Sequence, residues 1–347
     1  MKYRLLGASG LRVSEICLGT MTFGEEWGWG ASKEESRRIF ETFTKQGGNF
    51  IDTANRYTEG TSEKWLGELV AAERERIVLA TKYTLSVRFD DPNGSGNHRK
   101  NLFRSLDASL RRLGTEYIDL YWLHAWDYLT PIDEVMRALD DVVRAGKVLY
   151  VGVSDTPAWI VSRANTLASL RGWSPFVALQ VEYSLIERTP ERELLPMARA
   201  LDLAVTPWAP LGAGLLTGKF TRGKPAGETR LKPESGRLSE RNLGVARELD
   251  AVAGAIERPP AQVALCWLRR RPGNIIPIVG ARTAAQLEES LGCLEFELGD
   301  DEVRRLDEAS RIPLGFPHDF LSGDYVRRLV LGDKRGDIES HRGEWLP

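Results

Sequence analysis

An alternation repeated eight times constrains this chain most. Short apolar runs of strand length occur at Ile16–Leu18, Asn49–Ile51, Ile77–Ala80, Tyr117–Leu123, Val148–Val153, Val177–Val181, Leu203–Val205 and Ile275–Val279. Most carry β-branched or aromatic residues, and turn formers lie at their ends. Longer stretches with helical periodicity separate them. Strands alternating with helices predict parallel strands joined by crossovers. Eight such units fit a closed (β/α)₈ TIM barrel better than an open sheet with a second domain. The 347 residues exceed the roughly 250 of a plain barrel, so insertions are expected.

Two insertions stand out, Leu85–His98 and Leu211–Ser239. The opening, Tyr3–Leu6 and Leu11–Val13 around Gly7 to Gly10, reads as a β-hairpin. Ser32-Lys33-Glu34-Glu35 reads as a capping box, with the Ser oxygen on a first-turn N–H and the Glu reaching back. Pro131 and Pro157 sit where a first helical turn tolerates a missing N–H. No composition shift marks a domain boundary. The expectation is one domain over residues 1–347, with a core of about residues 16–310 and a tail of residues 311–347.

Charge and cysteine content exclude several classes. Lys plus Arg is 47 and Asp plus Glu is 49, a net charge of −2, so no general attraction to nucleic acid or an anionic membrane is expected. Cys17, Cys266 and Cys293 are odd in number and far apart, which suggests neither a disulfide framework nor a zinc site. No signal peptide and no apolar stretch of about 18 residues is evident. The expected location is the cytoplasm. The four histidines form no His-x-His pair, and His98, His318 and His341 read as structural or isolated. No metal site is expected.

Active sites of such barrels lie at the carboxyl ends of the strands. The residues there are polar: Asp52 with Tyr57 in the next loop, Lys82, His124, Ser154-Asp155 and Gln180, then Trp208 and Gly280. Singly, Asp52 could cap a helix, Lys82 could be solvated and His124 could be a satisfied core group. Together they suggest a proton-transfer site. A Tyr hydroxyl titrates near pH ~10, and a neighbouring Lys⁺ lowers that value. An Asp keeps the Lys charged, and a His can hold a substrate carbonyl. Such an acid needs a hydride donor, which a nicotinamide cofactor supplies.

From about Tyr3 to Ser310 the sequence resembles the aldo-keto reductases. The likeness is nearest their aryl-alcohol dehydrogenase and potassium-channel β-subunit-like branch. It rests on Gly19-Thr20-Met21-Thr22-Phe23-Gly24, Phe50-Ile51-Asp52-Thr53-Ala54 with Tyr57, Leu79-Ala80-Thr81-Lys82, and Tyr117-Ile118-Asp119-Leu120-Tyr121 with His124. It continues through Gly146-Lys147, Gly152-Val153-Ser154, Gln180 with Glu182-Tyr183-Ser184, Pro210-Leu211, Gly214–Lys219 and Pro277-Ile278-Val279-Gly280.

The resemblance implies a catalytic tetrad of Asp52, Tyr57, Lys82 and His124 and an extended NADPH/NADP+ bound without a Rossmann fingerprint. It places Gly19, Thr20, Met21 and Asp52 among the cofactor-binding residues. Ser154, Asp155 and Gln180 would hold the carboxamide, and Trp208 would stack on the ring. Pro210, Leu211 and Lys219 would line the pyrophosphate path, and Ala209, Gly212, Gly214 and Arg230 would also bind the cofactor. Gly280, Arg282, Gln286, Glu289 and Ser290 would surround the adenosine end. Asp155 and Ser290 depart from the family's usual Asn. Arg282 can offer its planar fork to a 2′-phosphate, or it could simply open the last barrel helix at the surface. Arg222 and Lys224 could add charge near Lys219, or that loop could be solvated.

Trp27, Trp29 and Trp126, with Phe316 and Phe320 of the tail, are candidate walls of an aromatic substrate pocket, or they could pack the loops. The expected substrate is a small-molecule carbonyl compound. A nucleotide-linked keto-sugar, or a cofactor-binding regulatory subunit with little turnover, are the alternatives. An oligomer is possible but not readable from the sequence.

Overall fold

A computed structural model describes residues 1–221, 231 and 235–339. It opens on an antiparallel hairpin, β1 (Tyr3–Leu5) and β2 (Arg12–Ser14), with Tyr3 opposite Ser14. The alternating elements follow: β3 (Cys17–Gly19), α1 (Lys33–Lys45), β4 (Phe50–Asp52), α2 (Thr61–Val70), β5 (Val78–Tyr83), α3 (Arg99–Leu113), β6 (Ile118–Leu123) and α4 (Ile132–Arg144). Then come β7 (Val148–Ser154), α5 (Ala158–Arg171), β8 (Phe176–Glu182), α6 (Leu194–Ala200), β9 (Ala204–Trp208), α7 (Glu240–Ala255), α8 (Pro260–Arg269), β10 (Ile278–Gly280) and α9 (Ala284–Leu291).

The eight strands from β3 to β10 are parallel, in the order β10-β3-β4-β5-β6-β7-β8-β9. Two backbone bonds close the ring. Val205 N–H donates to Asn274 O at 2.8 Å, and Ile276 N–H donates to Val205 O at 2.8 Å. The fold is a (β/α)₈ TIM barrel with an N-terminal hairpin.

Several strands run past the apolar stretches that reveal them. β4 ends on Asp52, β5 includes Lys82, β7 ends on Ser154 and β9 ends on Trp208. The apolar signal stops early because inward positions near the carboxyl end carry functional groups while the backbone ladder continues.

Side chains alternate between the barrel interior and the helix layer. Phe50, Val78, Leu120, Val177 and Ile278 fill the interior, and Leu6 and Val13 of the hairpin segment pack into the same cluster. Gly7 adopts φ +57°, and a Cβ there would meet Val177 O at 2.2 Å, so only glycine lets the hairpin seat so closely. At Gly152 a Cβ would lie 2.4 Å from the Trp122 ring. The indole thus occupies the space of an absent side chain on the next strand.

The helices close the second apolar layer, and α1 shows how they are tied down. Ser32 Oγ caps it by accepting Glu35 N–H at 3.3 Å. The Glu35 carboxylate does not reach back; it accepts Ala284 N–H at 2.7 Å instead. Only half of the capping box forms, and its other half links α1 to α9. Pro131 and Pro157 lie one residue outside their helices, at the cap positions. After α10 (Asp300–Ser310) the tail forms two short helices, α11 (His318–Ser322) and α12 (Asp324–Leu331), with no buried residue. No helix among the described residues is long and apolar enough to cross a membrane.

Candidate active site

The neighbouring strands β4 and β5 bring Asp52 and Lys82 together at the carboxyl end of the barrel. Lys82 is fully buried and Asp52 is 2% exposed. Lys82 Nζ donates to Asp52 Oδ2, to Thr53 O at 3.0 Å and to Tyr57 OH at 3.1 Å. Three acceptors satisfy the three N–H bonds of an ammonium.

Tyr57 begins a tight turn in which Thr58 and Glu59 adopt φ 45° and 55°. Left-handed non-glycine residues need support from their surroundings. Thr58 has it, because its buried hydroxyl donates to Phe23 O at 2.7 Å. His124 follows β6, and its ring stands edge-on to Tyr57 with centroids 6.0 Å apart. The four groups, far apart in sequence, lie in one crevice.

Burial and charge compete in this cluster. Burial pushes the Lys82 ammonium down, but Asp52 and Tyr57 together carry it above its ordinary value, so it stays charged. Burial raises the Asp52 carboxyl, and Lys82 pulls it back. Tyr57 stands above 10.0, with burial the largest cause and Lys82 opposing it. The lowering expected from Lys82 is therefore present as a component but is outweighed, because burial and the Asp52 charge both disfavour a phenolate. Burial, then Lys82, holds His124 well below 6.5, so its ring is neutral at pH 7. Its Nδ1 is buried without a partner.

A second arc of groups runs from β7 to α9. Ser154 Oγ is buried and unpartnered, so it has a hydrogen bond to give to a bound molecule. Gln180 donates its amide N–H to Asp52 Oδ1 at 3.1 Å, so its carbonyl oxygen is the group left to accept. Trp208 donates its indole N–H to Asp155 Oδ1 at 3.1 Å. Thr20 N–H and Oγ1 both donate to Asp52 O, at 2.9 and 3.0 Å. Met21 is half-buried beside it, and Gly19 packs so closely on Ile278 that a Cβ would lie 2.7 Å from Cγ2.

After β9 the backbone turns left-handed at Ala209, Gly212, Ala213 and Gly214, between them Pro210, buried, and Leu211, half-buried. The turn holds itself together: Gly212 N–H donates to Ala209 O at 2.8 Å and Gly214 N–H to Leu211 O at 2.9 Å. Lys219 is exposed beyond them. Arg222, Lys224 and Arg230, like His341, lie outside the described residues.

At the far end Gly280 is exposed, and Gln286 accepts Arg282 N–H at 3.0 Å. Ser290 is buried, while Glu289 is exposed and its carbonyl binds the Gln262 amide. The Arg282 guanidinium and the Lys219 ammonium pair with no carboxylate among the described residues. These features fit an extended, polyanionic dinucleotide: an orphan hydroxyl at one end, a tight left-handed turn in the middle and, beyond it, cations without a carboxylate partner among the described residues.

A family model for the Aldo/keto reductase family matches residues 15–311. The chain belongs to the aldo/keto reductase family. It is 39% identical to an aryl-alcohol dehydrogenase of Pestalotiopsis microspora over 337 residues, 94% of this chain and 87% of the relative. It is 40% identical over 325 residues to a norsolorinic acid reductase of Emericella nidulans, covering 90% and 82%. A norsolorinic acid reductase B of Aspergillus parasiticus is 41% identical over 338 residues, covering 93% and 87%.

Within this aldo/keto reductase, the candidate pocket walls divide. Trp27 stands edge-on to Tyr57 at 6.5 Å, with Trp29 5.8 Å from Trp27. Trp126 is half-buried, and its N–H donates to Asp155 O. Phe316 is not brought to them. It is 85% exposed, and its ring meets Phe320 instead. Arg192 binds Pro313 O and Glu193 binds His318, so both flanks are tied to the loop after β8 while Phe316 faces solvent.

Two contributors had no usable sequence signal. One is the Thr53 carbonyl on Lys82, since a backbone oxygen is the same in every residue. The other is Arg56, paired with Glu59 and lying over the rings of Trp27 and Phe89 at 5.8 and 5.6 Å. Those rings belong to loops 30 or more residues away from each other. Asp119, part of the family-like segment, is structural: it accepts Leu79 N–H and pairs with Arg74 at 2.8 Å.

Proposed function

We propose that this chain is a cytoplasmic, NADPH-dependent reductase that converts an aldehyde or ketone to an alcohol, with Tyr57 as proton donor. The contact that carries the reading is Tyr57 OH on Lys82 Nζ, with Lys82 buried against Asp52. The ammonium stabilises the phenolate oxygen left when the proton moves to the substrate oxygen. Asp52 keeps that ammonium charged and placed. Neutral His124 has one N–H to offer the carbonyl oxygen, which fixes the substrate and draws charge from its carbon. The nicotinamide, when bound, supplies the hydride.

Ser154 Oγ, Asp155 and the Gln180 carbonyl would hold the carboxamide, with Trp208 against the ring and Gly19, Thr20 and Met21 beside it. The turn from Ala209 to Gly214, with Lys219 and Arg230, would take the pyrophosphate. Arg282, Gln286, Glu289 and Ser290 would surround the adenosine end past Gly280, with Arg282 on the 2′-phosphate. Trp27, Trp29 and Trp126 suit an aryl carbonyl compound, and one relative is named an aryl-alcohol dehydrogenase.

The test is a panel of aromatic and aliphatic carbonyl compounds with NADPH and NADH, followed by absorbance. Tyr57→Phe should bind NADPH nearly as before and turn over about 10²–10⁴-fold more slowly. An unchanged rate would remove Tyr57 from the role. Tight NADPH binding with negligible turnover across the panel would favour a cofactor-binding subunit instead.

A further inference from the structure

Asp155 differs from the other polar groups of the crevice. Its backbone is pinned from two sides: its N–H donates to Gln180 O at 3.2 Å, and its carbonyl accepts Trp126 N–H at 3.3 Å. It adopts φ 41°, a left-handed conformation that a non-glycine residue keeps only where its surroundings hold it. Its Oδ1 accepts the Trp208 indole N–H. No Lys or Arg forms an ion pair with it among the described residues. Asp52 is neutralised by Lys82 on contact. Asp155 is instead a solvent-reachable carboxylate whose field reaches Tyr57 on one side and which holds the Trp208 ring on the other. Partial burial raises its carboxyl above the ordinary value, while the Trp208 bond and, at a distance, Lys82 pull it back. An Asn could make the same bond to Trp208. The carboxylate adds only charge.

We propose that Asp155 is a positioning residue for Trp208 whose charge, held in no direct ion pair, makes the crevice favour the oxidised over the reduced nicotinamide nucleotide. This rests on the reading above that such a nucleotide binds there. The oxidised pyridinium ring carries a positive charge, and the dihydropyridine ring is neutral. A nearby anion therefore stabilises one and not the other. Relative to an Asn at the same place, the enzyme releases the oxidised nucleotide less readily, and the bound reduced nucleotide is the better hydride donor to a carbonyl carbon.

The experiment is equilibrium titration of the full chain with NADP+ and with NADPH, by calorimetry, for the wild type, Asp155→Asn and Asp155→Ala. Circular dichroism checks that each is folded. Asp155→Asn keeps the acceptor for Trp208 and removes the charge. Its ratio of Kd for NADP+ to Kd for NADPH should rise roughly five- to tenfold, the scale of a unit charge acting through a partly solvated crevice. Asp155→Ala should show the same change in ratio and weaken both nucleotides by a further factor of about two to five, through loss of one hydrogen bond. A ratio in Asp155→Asn within about twofold of wild type, on the scale just derived, overturns the electrostatic role. Equal affinities for Asp155→Asn and Asp155→Ala overturn the positioning role. If the wild type binds neither nucleotide, the inference falls together with the proposed function, whereas binding with an unchanged ratio overturns the inference alone.

Discussion

Replacing Lys82 by Met tests the buried pair directly. The side chain is fully buried and its partner Asp52 is 2% exposed, so water cannot replace the lost ammonium. Lys82→Met leaves a carboxylate in the barrel with only the Gln180 amide as side-chain donor. Breaking a buried pair by removing one partner costs about 3–5 kcal/mol, a large part of the roughly 5–15 kcal/mol that holds a domain folded. The double variant Lys82→Met/Asp52→Asn removes the stranded charge and should recover more than half of that loss. Neither variant should regain activity, since both lack the ammonium beside Tyr57. Guanidinium unfolding followed by circular dichroism measures the stability, and the carbonyl assay measures turnover. A double variant as unstable as the single would show that the stranded carboxylate is not the source of the loss. The pH dependence has a defined sign. Lys82 is raised in the folded state from 10.5, so its contribution is fully present below that value. It disappears as pH rises through the higher folded-state value, and the stability gap between wild type and Lys82→Met should narrow there.

Three further outcomes are expected. His124 sits well below 6.5, so the unfolded chain binds its proton first and stability falls as pH drops below about that value; His124→Gln should lose stability less steeply in acid unfolding, and identical profiles would contradict the burial of a neutral ring. Arg282→Ala should weaken NADPH more than NADH in parallel titrations, whereas equal weakening would place the 2′-phosphate contact elsewhere. Gly152→Ala would set a methyl 2.4 Å from the Trp122 ring, and overpacking of that kind costs about 1–3 kcal/mol; an unchanged unfolding midpoint would mean that the indole has room to shift.

The sequence by itself determined the barrel. Eight apolar runs separated by helical stretches have few other ways to bury their faces, and the periodicity that shows this is local. It also exposed the residues at the strand ends, because Asp52, Lys82 and Gln180 interrupt runs that a purely structural strand would continue with apolar side chains. Tertiary structure decided what those residues do to one another. Whether Lys82 lowers Tyr57 overall depends on how much solvent both have lost, and that is fixed by the whole barrel wall. Whether Glu35 finishes its own capping box or binds Ala284 depends on a helix that begins nearly 250 residues later. Phe316 shows the same limit from the other side: an aromatic residue in a tail reads as a wall, but the anchors at Arg192 and Glu193 leave it in solvent. Periodicity is a property of neighbours along the chain, whereas dielectric, pairing and exposure belong to neighbours in space.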